Sequence, residues 1–274
     1  VEIVDSGSGD DEITLTGTTG ATVDGGAGND TIQSLGYGDG SGSGDDTLTG
    51  GEGHDTLRGG DGSDVLIGGS DLDVAIYAHA STNYEFGVDA SGDLTVTAFK
   101  YENGGTIGNV SNRYVDVVRG IETLQFSDGT ITVSQSSPGA AYTLTVSSAG
   151  GESRTLRTSS NDIQTVFGGE GNEYVYLNDD EGNTVTLDGV EQVTAGNGDD
   201  DLTFTSNDIT QVSGGSGADQ VHLTSNEGNT TSINGVEIVD SGSGDDEITL
   251  TGTTGATVDG GAGNDTIQSL GYGD

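Results

Sequence analysis

The sequence predicts an all-β chain in which short strands and tight turns stack as a solenoid, accompanied by a small additional β unit. Glycine supplies 51 of the 274 residues and proline only 1, so tight turns with positive φ must recur along the chain. Hydrophobic residues make up 30% and aromatic residues 5%, which favours a thin, elongated core. The third observation is internal repetition, which is typical of solenoids whose coils bury apolar residues against neighbouring coils.

The longest repeat is exact, because residues 236–274 are identical to residues 1–39 and Val236 is therefore the counterpart of Val1. This identity predicts a tandem array of near-identical modules; an artificial duplication is the alternative. A shorter period of 46 residues relates NDIQTVFGGEGNEYVYL from Asn161 to NDITQVSGGSGADQVHL from Asn207.

The shortest period is that of a nonapeptide. Four nonapeptides follow one another from Ser41 (SGSGDDTLT, GGEGHDTLR, GGDGSDVLI, GGSDLDVAI), and single copies start at Ser6 and Gly25. The first six positions, with alternating glycines, predict a tight turn, and the next three predict a short strand whose middle residue points inward. The inward residues predicted in this way are Ile13, Ile32, Leu48, Leu57 and Leu66.

Two nonapeptides make one coil. Coils that stack at the inter-strand distance of ~4.8 Å would place Asp46 over Asp64, and Asp55 over Asp73. The pairs Asp11 with Asp30, Asp200 with Asp219, and Asp246 with Asp265 are separated by 19 residues, which a small bulge at the turn accommodates. In the second half of the chain the steps between glycine turns alternate between 27 and 19, which predicts coils longer than two nonapeptides there.

These segments resemble the GGxGxDxUx nonapeptides of the repeats-in-toxin (RTX) family. The resemblance implies a parallel β-roll with calcium-binding GGxGxD turns and export by type I secretion. Stacked carboxylates repel one another, and Ca²⁺ relieves this repulsion because it accepts six to eight hard oxygen ligands in flexible geometry. Mg²⁺ demands stricter octahedral geometry, and Zn²⁺ prefers nitrogen or sulfur ligands, which are scarce in a chain with no Cys and three His.

The sequence therefore predicts several calcium ions as bound cofactors. The candidate carboxylate ligands are Asp11, Asp30, Asp46, Asp55, Asp64, Asp73, Asp200, Asp219, Asp246 and Asp265. The candidate backbone carbonyls lie near Gly42, Gly44, Gly51, Gly53, Gly60 and Gly62. Two turns depart from the pattern, since Glu173 stands where Asp is expected and Asp71 replaces a glycine; these turns are expected to bind calcium weakly or not at all.

The glycine turns stop between Tyr77 and Val133, where alternating strands (YEFGV, LTVTAF, YVDVV, IETLQF, ITV) predict a small antiparallel or mixed β unit. The string GIETLQFSDGTITV from Gly120 resembles the segment that closes the roll in RTX proteins. We therefore expect four regions: a calcium-binding β-roll over 1–76, a β cap and linker over 77–137, a degenerate solenoid over 138–235, and the start of the next module over 236–274.

Charge and motifs exclude several functions. With 6 basic and 46 acidic residues the formal charge is −40, which argues against nucleic acid and anionic membranes as partners and favours cations. No apolar run reaches the roughly 18 residues of a membrane span, so membrane insertion is not expected. The absence of HExxH and GxSxG motifs, with isolated histidines at His54, His79 and His222, predicts that the chain is not an enzyme.

The sequence thus predicts a calcium-binding structural repeat module of a secreted bacterial surface protein, serving as a fibre, extender or surface-layer component. Its partners would be calcium ions and neighbouring identical modules, and it would fold on calcium outside the cell. One alternative is a ligand-binding adhesin module for a glycan, ice or a cell surface, with Tyr77, Tyr84, Tyr101 and Tyr114 as stacking residues. Another alternative is a subunit of a noncovalent filament.

Overall fold

The computed structural model describes residues 2–35, 44–99, 113–148, 153–178, 181–252 and 255–271. The chain forms two compact units, Val1–Gly139 and Ala140–Asp274. Both units consist of short strands, and the one helical element in the described ranges is a single 3₁₀ turn, Ser81–Asn83. The predicted all-β solenoid is confirmed.

The first unit begins with a series of coils. Each coil contributes one strand to each of two parallel sheets. The odd-numbered strands β1, β3, β5 and β7 pair in one sheet, and the even-numbered strands β2, β4, β6 and β8 pair in the other. Thr47 lies beside Val65, and Thr56 lies beside Val74, which is the predicted coil length of two nonapeptides. The strands are β1 (Glu2–Asp5), β2 (Glu12–Leu15), β3 (Ala21–Ala27), β4 (Thr31–Ser34), β5 (Thr47–Glu52), β6 (Thr56–Arg58), β7 (Val65–Ser70) and β8 (Val74–Ile76).

Five further strands of this unit lie within the described ranges and cover the last coil of the roll. They are β9 (Tyr84–Val88), β10 (Leu94–Ala98), β11 (Val115–Arg119), β12 (Thr123–Phe126) and β13 (Gly129–Gln135). Strand β11 pairs in parallel with β7, and β12 pairs in parallel with β8. The remaining pairings, β9 with β10, β10 with β11, and β12 with β13, are antiparallel. The edges that β7 and β8 would otherwise expose are thereby paired.

Two of the tyrosines considered for ligand stacking lie in the core of this segment. Tyr77 and Tyr84 are buried, and the Tyr77 ring stacks on Phe126 with 5.2 Å between ring centroids. Neither ring is available for a glycan, because both pack where the antiparallel strands need large apolar side chains. Tyr114 is partly exposed, and Tyr101 lies outside the described residues.

The second unit consists of parallel coils throughout its described strands. Its two sheets have the strand orders β15-β17-β19-β21-β23-β25-β27 and β14-β16-β18-β20-β22-β24-β26. The strands are β14 (Tyr142–Ser148), β15 (Arg154–Thr158), β16 (Ile163–Phe167), β17 (Glu173–Leu177), β18 (Thr184–Asp188), β19 (Gln192–Thr194), β20 (Asp201–Phe204), β21 (Gln211–Ser213), β22 (Gln220–Leu223), β23 (Thr230–Asn234), β24 (Ile238–Asp240), β25 (Glu247–Leu250), β26 (Thr257–Asp259) and β27 (Thr266–Ser269).

The prediction that the coils of this half are all longer than two nonapeptides is wrong. Thr184 lies beside Asp201, one residue short of that length, whereas Gln211 lies beside Ser232, so the coils are of unequal length. The long step from Gly168 to Ala195 spans more than one coil, because an intervening turn at Asn183 carries no double glycine and was not recognised as a turn of the solenoid.

The inward residues form the core. Ile32, Leu48, Leu57 and Leu66 are fully buried, as predicted, and Ile13 is half-buried. Each fully buried Leu or Ile contributes about 1.5–3 kcal/mol relative to an exposed side chain. Since each such residue packs between coils, the core is a narrow column rather than a layer.

The turns stack so closely from coil to coil that several turn positions have room only for glycine. Gly51 has φ +122°, and a Cβ there would collide with the carbonyl oxygen of Gly26 on the preceding coil. Asp71, with φ 76°, is the one residue other than glycine with positive φ among the described residues. It takes the backbone conformation of the glycine that it replaces, so its turn keeps the shape of the others.

The described parts of the two identical segments, residues 1–39 and 236–274, form the same strands in different surroundings. Strands β1–β4 in the first unit correspond to β24–β27 in the second. Ile32 is fully buried under the following coil, whereas its twin Ile267 is 46% exposed. Conversely, Ile248 is fully buried and its twin Ile13 only half-buried, because a preceding coil covers the second copy alone. Both faces of this segment are therefore suited to covering by another coil.

Candidate metal centre

The predicted aspartates lie in rows that run from coil to coil along the turns. In the first row the backbone N–H of each residue donates to Oδ1 of the Asp on the next coil. The donor–acceptor distances are 2.9 Å from Asp11 to Asp30, 2.8 Å from Asp30 to Asp55 and 2.8 Å from Asp55 to Asp73. The row ends where Asp73 donates to Oε2 of Glu122 at 2.9 Å. We call this arrangement, in both units, the inner ladder.

A second inner ladder occupies the opposite turns of the first unit. The N–H of Ala21 donates to Asp46 at 2.7 Å, that of Asp46 to Asp64 at 2.8 Å, and that of Asp64 to Asp116 at 3.0 Å. The structure therefore brings together Asp46 with Asp64, and Asp55 with Asp73, on adjacent coils.

Two inner ladders also run through the second unit, and each starts with an asparagine. One runs through Asn183, Asp200, Asp219 and Glu237 at 2.7, 3.0 and 2.8 Å. The other runs through Asn229, Asp246 and Asp265 at 2.7 and 3.1 Å. All the aspartate pairs expected from their spacing are thus neighbours in the structure. Whether they bind calcium remains a prediction.

The second carboxylate oxygen of the ladder residues identifies where a cation fits. While Oδ1 accepts the N–H, Oδ2 is buried and has no hydrogen-bond partner in the protein. This holds for Asp30, Asp46, Asp55, Asp64, Asp73, Asp219 and Asp246. Oδ2 of Asp11, the first residue of its row, is also buried and has no hydrogen-bond partner. A buried, unpaired carboxylate oxygen costs several kcal/mol, so the arrangement needs either a proton or a cation.

A carbonyl oxygen of the next coil lies close to several of these orphaned oxygens. A Cβ on Gly25 would collide with Oδ2 of Asp30 and would also meet the carbonyl oxygen of Gly50. The same combination surrounds Gly214, where Oδ2 of Asp219 and the carbonyl oxygen of Gly235 converge. Carboxylate and carbonyl oxygens are the ligands that Ca²⁺ prefers, and the residues therefore fit this ion.

Carboxylates alone do not complete such a site. Across the part of the chain that the structure describes, no group of three or more acidic or histidine side chains is placed to hold a metal ion. An ion between two coils would take its other ligands from backbone carbonyls. Of the predicted glycines, Gly42 lies outside the described residues, and those with positive φ are Gly44, Gly51, Gly53, Gly60 and Gly62. Their carbonyls as calcium ligands remain a prediction.

Burial makes several ladder carboxyls weaker acids than free ones. Burial, reinforced by the charges of Asp55 and Glu122, raises the pKa of Asp73 to about 6. Burial and then the neighbouring charge of Asp116 raise the pKa of Asp64. Burial also raises the pKa of Asp46, Asp55 and Asp219. Protons therefore compete with cations for these sites in mildly acidic solution.

An outer ladder, which the sequence interpretation missed, joins the same coils. It consists of the residue before each ladder Asp, and its hydrogen bonds run in the opposite direction. The N–H of Asn29 donates to Asp10 at 2.8 Å, that of His54 to Asn29 at 2.8 Å, and that of Leu72 to His54 Nδ1 at 3.2 Å. The recurring acceptor side chain at the fifth turn position was the available signal. His54 is thus a structural residue of the turn.

The glutamates at the ends of the ladders were missed as well. Glu122 and Glu237 accept the N–H of the last Asp in their rows. Each follows a positive-φ glycine and a buried Ile or Val, in the strings GIE and GVE. This short string was the signal for a second type of turn, and it recurs at Gly189, where Glu191 accepts the N–H of Glu173 at 2.6 Å.

The two turns that depart from the nonapeptide pattern differ from each other. At Asp71 the ladder geometry is retained, since Asp73 still accepts the N–H of Asp55. At Glu173 burial, followed by the charge of Glu191, raises the pKa to about 7, while the charge of Arg154 opposes this shift. Arg154 is itself buried and lies beside Glu173 in the strand register. This turn therefore has a protein cation in its vicinity.

Comparison with known families agrees with this geometry. A family model described as the RTX calcium-binding nonapeptide repeat matches residues 15–35, 41–75 and 250–270, in four copies. The chain carries RTX calcium-binding repeats. These RTX repeats coincide with turns of the inner ladders in both units, and they support a calcium-binding structural role. A search of curated proteins found no match to the chain.

Asp55→Asn tests whether the inner ladder holds the ions. Asp55 pairs with Asp30 on one adjacent coil and with Asp73 on the other, and the substitution leaves each pair with one negative charge instead of two. We therefore expect the chain to lose at least one bound calcium ion and to need roughly several-fold more calcium to fold. Ion content after equilibrium dialysis and the midpoint of a circular dichroism titration measure both effects. Glu52→Gln in the same turn changes the same charge at an exposed position and should leave both values unaltered. Equal effects of the two substitutions would contradict a specific site.

Calcium binding should weaken as the pH falls through about 6. The ladder carboxyls bind calcium when deprotonated, and protonation of Asp73 and its neighbours competes with the ion. We expect the calcium midpoint to rise between pH 7.5 and pH 5.5. The metal-free chain should show the opposite trend, because a carboxyl whose folded-state pKa is raised stabilises the fold at low pH and loses this contribution as the pH rises through about 6. Titrations at both pH values, with a chelated control, measure this, and a midpoint independent of pH would contradict it.

Proposed function

We propose that the chain is a calcium-dependent structural module of an exported surface protein, and that calcium acts as its folding switch. The observation that carries this proposal is the set of buried, unpaired Oδ2 atoms in the inner ladders. Their regular recurrence from coil to coil favours a structural role, since catalysis needs one site whereas metal-dependent folding uses many.

The net charge supports the switch. At −40 the unfolded chain repels itself, and stacking the turns brings further carboxylates together. At low calcium concentration the chain would therefore remain unfolded and suited to export. At the calcium concentration outside a cell, the bound ions would offset enough charge for the coils to close. Secretion and surface location are part of this proposal; within the described residues no helix is long and apolar enough to cross a membrane.

The repeated segment, residues 1–39 and 236–274, supports a tandem arrangement of such modules. In one copy a following coil buries Ile32, and in the other a preceding coil buries Ile248, so the same segment accepts coils on both faces. In a tandem array a single segment would receive both coils at once. The inner ladder that starts at Asn229 would then continue through the counterparts of Asp55 and Asp73, and the module would act as a fibre or extender.

A calcium titration followed by far-UV circular dichroism tests the folding switch. We expect a cooperative transition from coil to β-structure that calcium induces, that a chelator reverses and that magnesium at the same concentration does not reproduce. The physical reason is that the ladder carboxylates need a cation with flexible oxygen coordination. A chain that is already β-structured in chelator would contradict the proposal.

The tandem arrangement is tested by a chain that runs from residue 140 to 274 and continues directly with residues 40–139. Such a chain contains the shared segment once, between the two units. We expect one calcium transition and slower amide hydrogen exchange in the shared segment than in either copy of the present chain, because both faces are then covered. Two separate transitions, or unchanged exchange in the segment, would contradict the arrangement.

A further inference from the structure

We propose that Asn183 and Asn229 close the inner ladders of the second unit without a metal ion, and that they thereby determine where calcium binding begins. In this proposal, which rests on the proposed calcium-dependent function, the side-chain amide takes the place of a cation against the first Asp of each ladder. Calcium then binds only between consecutive carboxylates.

The contacts of Asn229 show how the amide does this. Its Nδ2 donates to Oδ1 of Asp246 at 2.8 Å, and its backbone N–H donates to the same oxygen at 2.7 Å. Asn183 makes the equivalent pair of bonds to Oδ1 of Asp200, both at 2.7 Å. Both asparagines are at most 1% exposed. A carboxylate oxygen accepts only from a donor, so the chemistry fixes which end of each amide faces the aspartate.

The steps between two aspartates lack this second donor. Between Asp46 and Asp64 the backbone N–H supplies the single hydrogen bond, and the side chain of Asp46 contributes a negative charge instead of an amide. Two buried carboxylates on adjacent coils require a cation or a proton, whereas an asparagine and an aspartate have one negative charge and an additional hydrogen bond. The chemistry of the step therefore changes at the asparagine.

The sequence repeats this device. Both asparagines end the string EGN, followed by Thr and a strand, and they stand 46 residues apart, which is the internal period of the second unit. Each lies 17 positions before its aspartate. The coils of Asn183 and Asn229 are thus joined to the next coil by hydrogen bonds from a neutral amide to a single carboxylate, and each calcium ladder starts one coil later.

The experiment is a count of bound calcium in the full chain at saturating calcium, with far-UV circular dichroism to confirm folding. Asn229→Asp converts the first step into a carboxylate pair, and we expect one additional calcium ion per chain. Asn183→Asp together with Asn229→Asp should add two ions. Asn226→Asp, in the same turn at an exposed position, adds the same charge outside the ladder and should add none.

Asn229→Ala separates this proposal from the alternative that the asparagine is itself a calcium ligand through Oδ1, which is buried and has no hydrogen-bond partner. An unchanged ion count in this variant supports the proposal, and the loss of an ion overturns it. An Asn229→Asp chain that gains no ion, or that fails to fold at any calcium concentration, also overturns it. If the wild-type chain bound no calcium, the proposed function itself would fail, which is a distinct result.

Discussion

Repulsion between stacked, buried carboxylates is the constraint on which the rest of the structure depends. Parallel coils repeat at ~4.8 Å, so an aspartate at the same turn position of every coil lies next to its counterpart. At an effective dielectric constant of ~20, two charges at about 5 Å repel by roughly 3 kcal/mol. A few such steps equal the whole stability of an ordinary domain, about 5–15 kcal/mol. The metal-free fold is therefore weak unless something neutralises the ladder.

The turn aspartates also determine the register of the coils, because their side chains accept hydrogen bonds from the backbone of neighbouring coils. The inner ladder directs N–H groups towards the next coil, and the outer ladder directs them back, as Asp30 and Asn29 illustrate. Two opposed sets of side-chain hydrogen bonds fix the position of each coil along the strand direction. The turn glycines allow the coils to approach closely enough for both sets to form, since a Cβ on Gly53 would strike the carbonyl oxygen of Gly28.

The sequence was sufficient for the parts of the fold in which one short signal specifies one turn. The pairing of Asp46 with Asp64 and the burial of Leu57 followed directly from the nonapeptide spacing. The sequence was insufficient where residues other than the glycines and aspartate of the nonapeptide form an equivalent turn. Asn183 closes a coil without a double glycine, and Glu122 ends a ladder from outside the nonapeptides. Both residues lie outside the nonapeptides, so the spacing that pairs the aspartates does not assign a partner to either of them.

The stacking of the coils also has a mechanical consequence. In the roll of the first unit each coil advances the stack by only ~4.8 Å, but its two nonapeptides extend to about 60 Å when released. A force along the stacking direction would act on one coil interface at a time, starting at an end. Each release would lengthen the chain more than tenfold for that coil and free its ions. The calcium concentration would therefore determine the force at which the coils unfold and the chain lengthens.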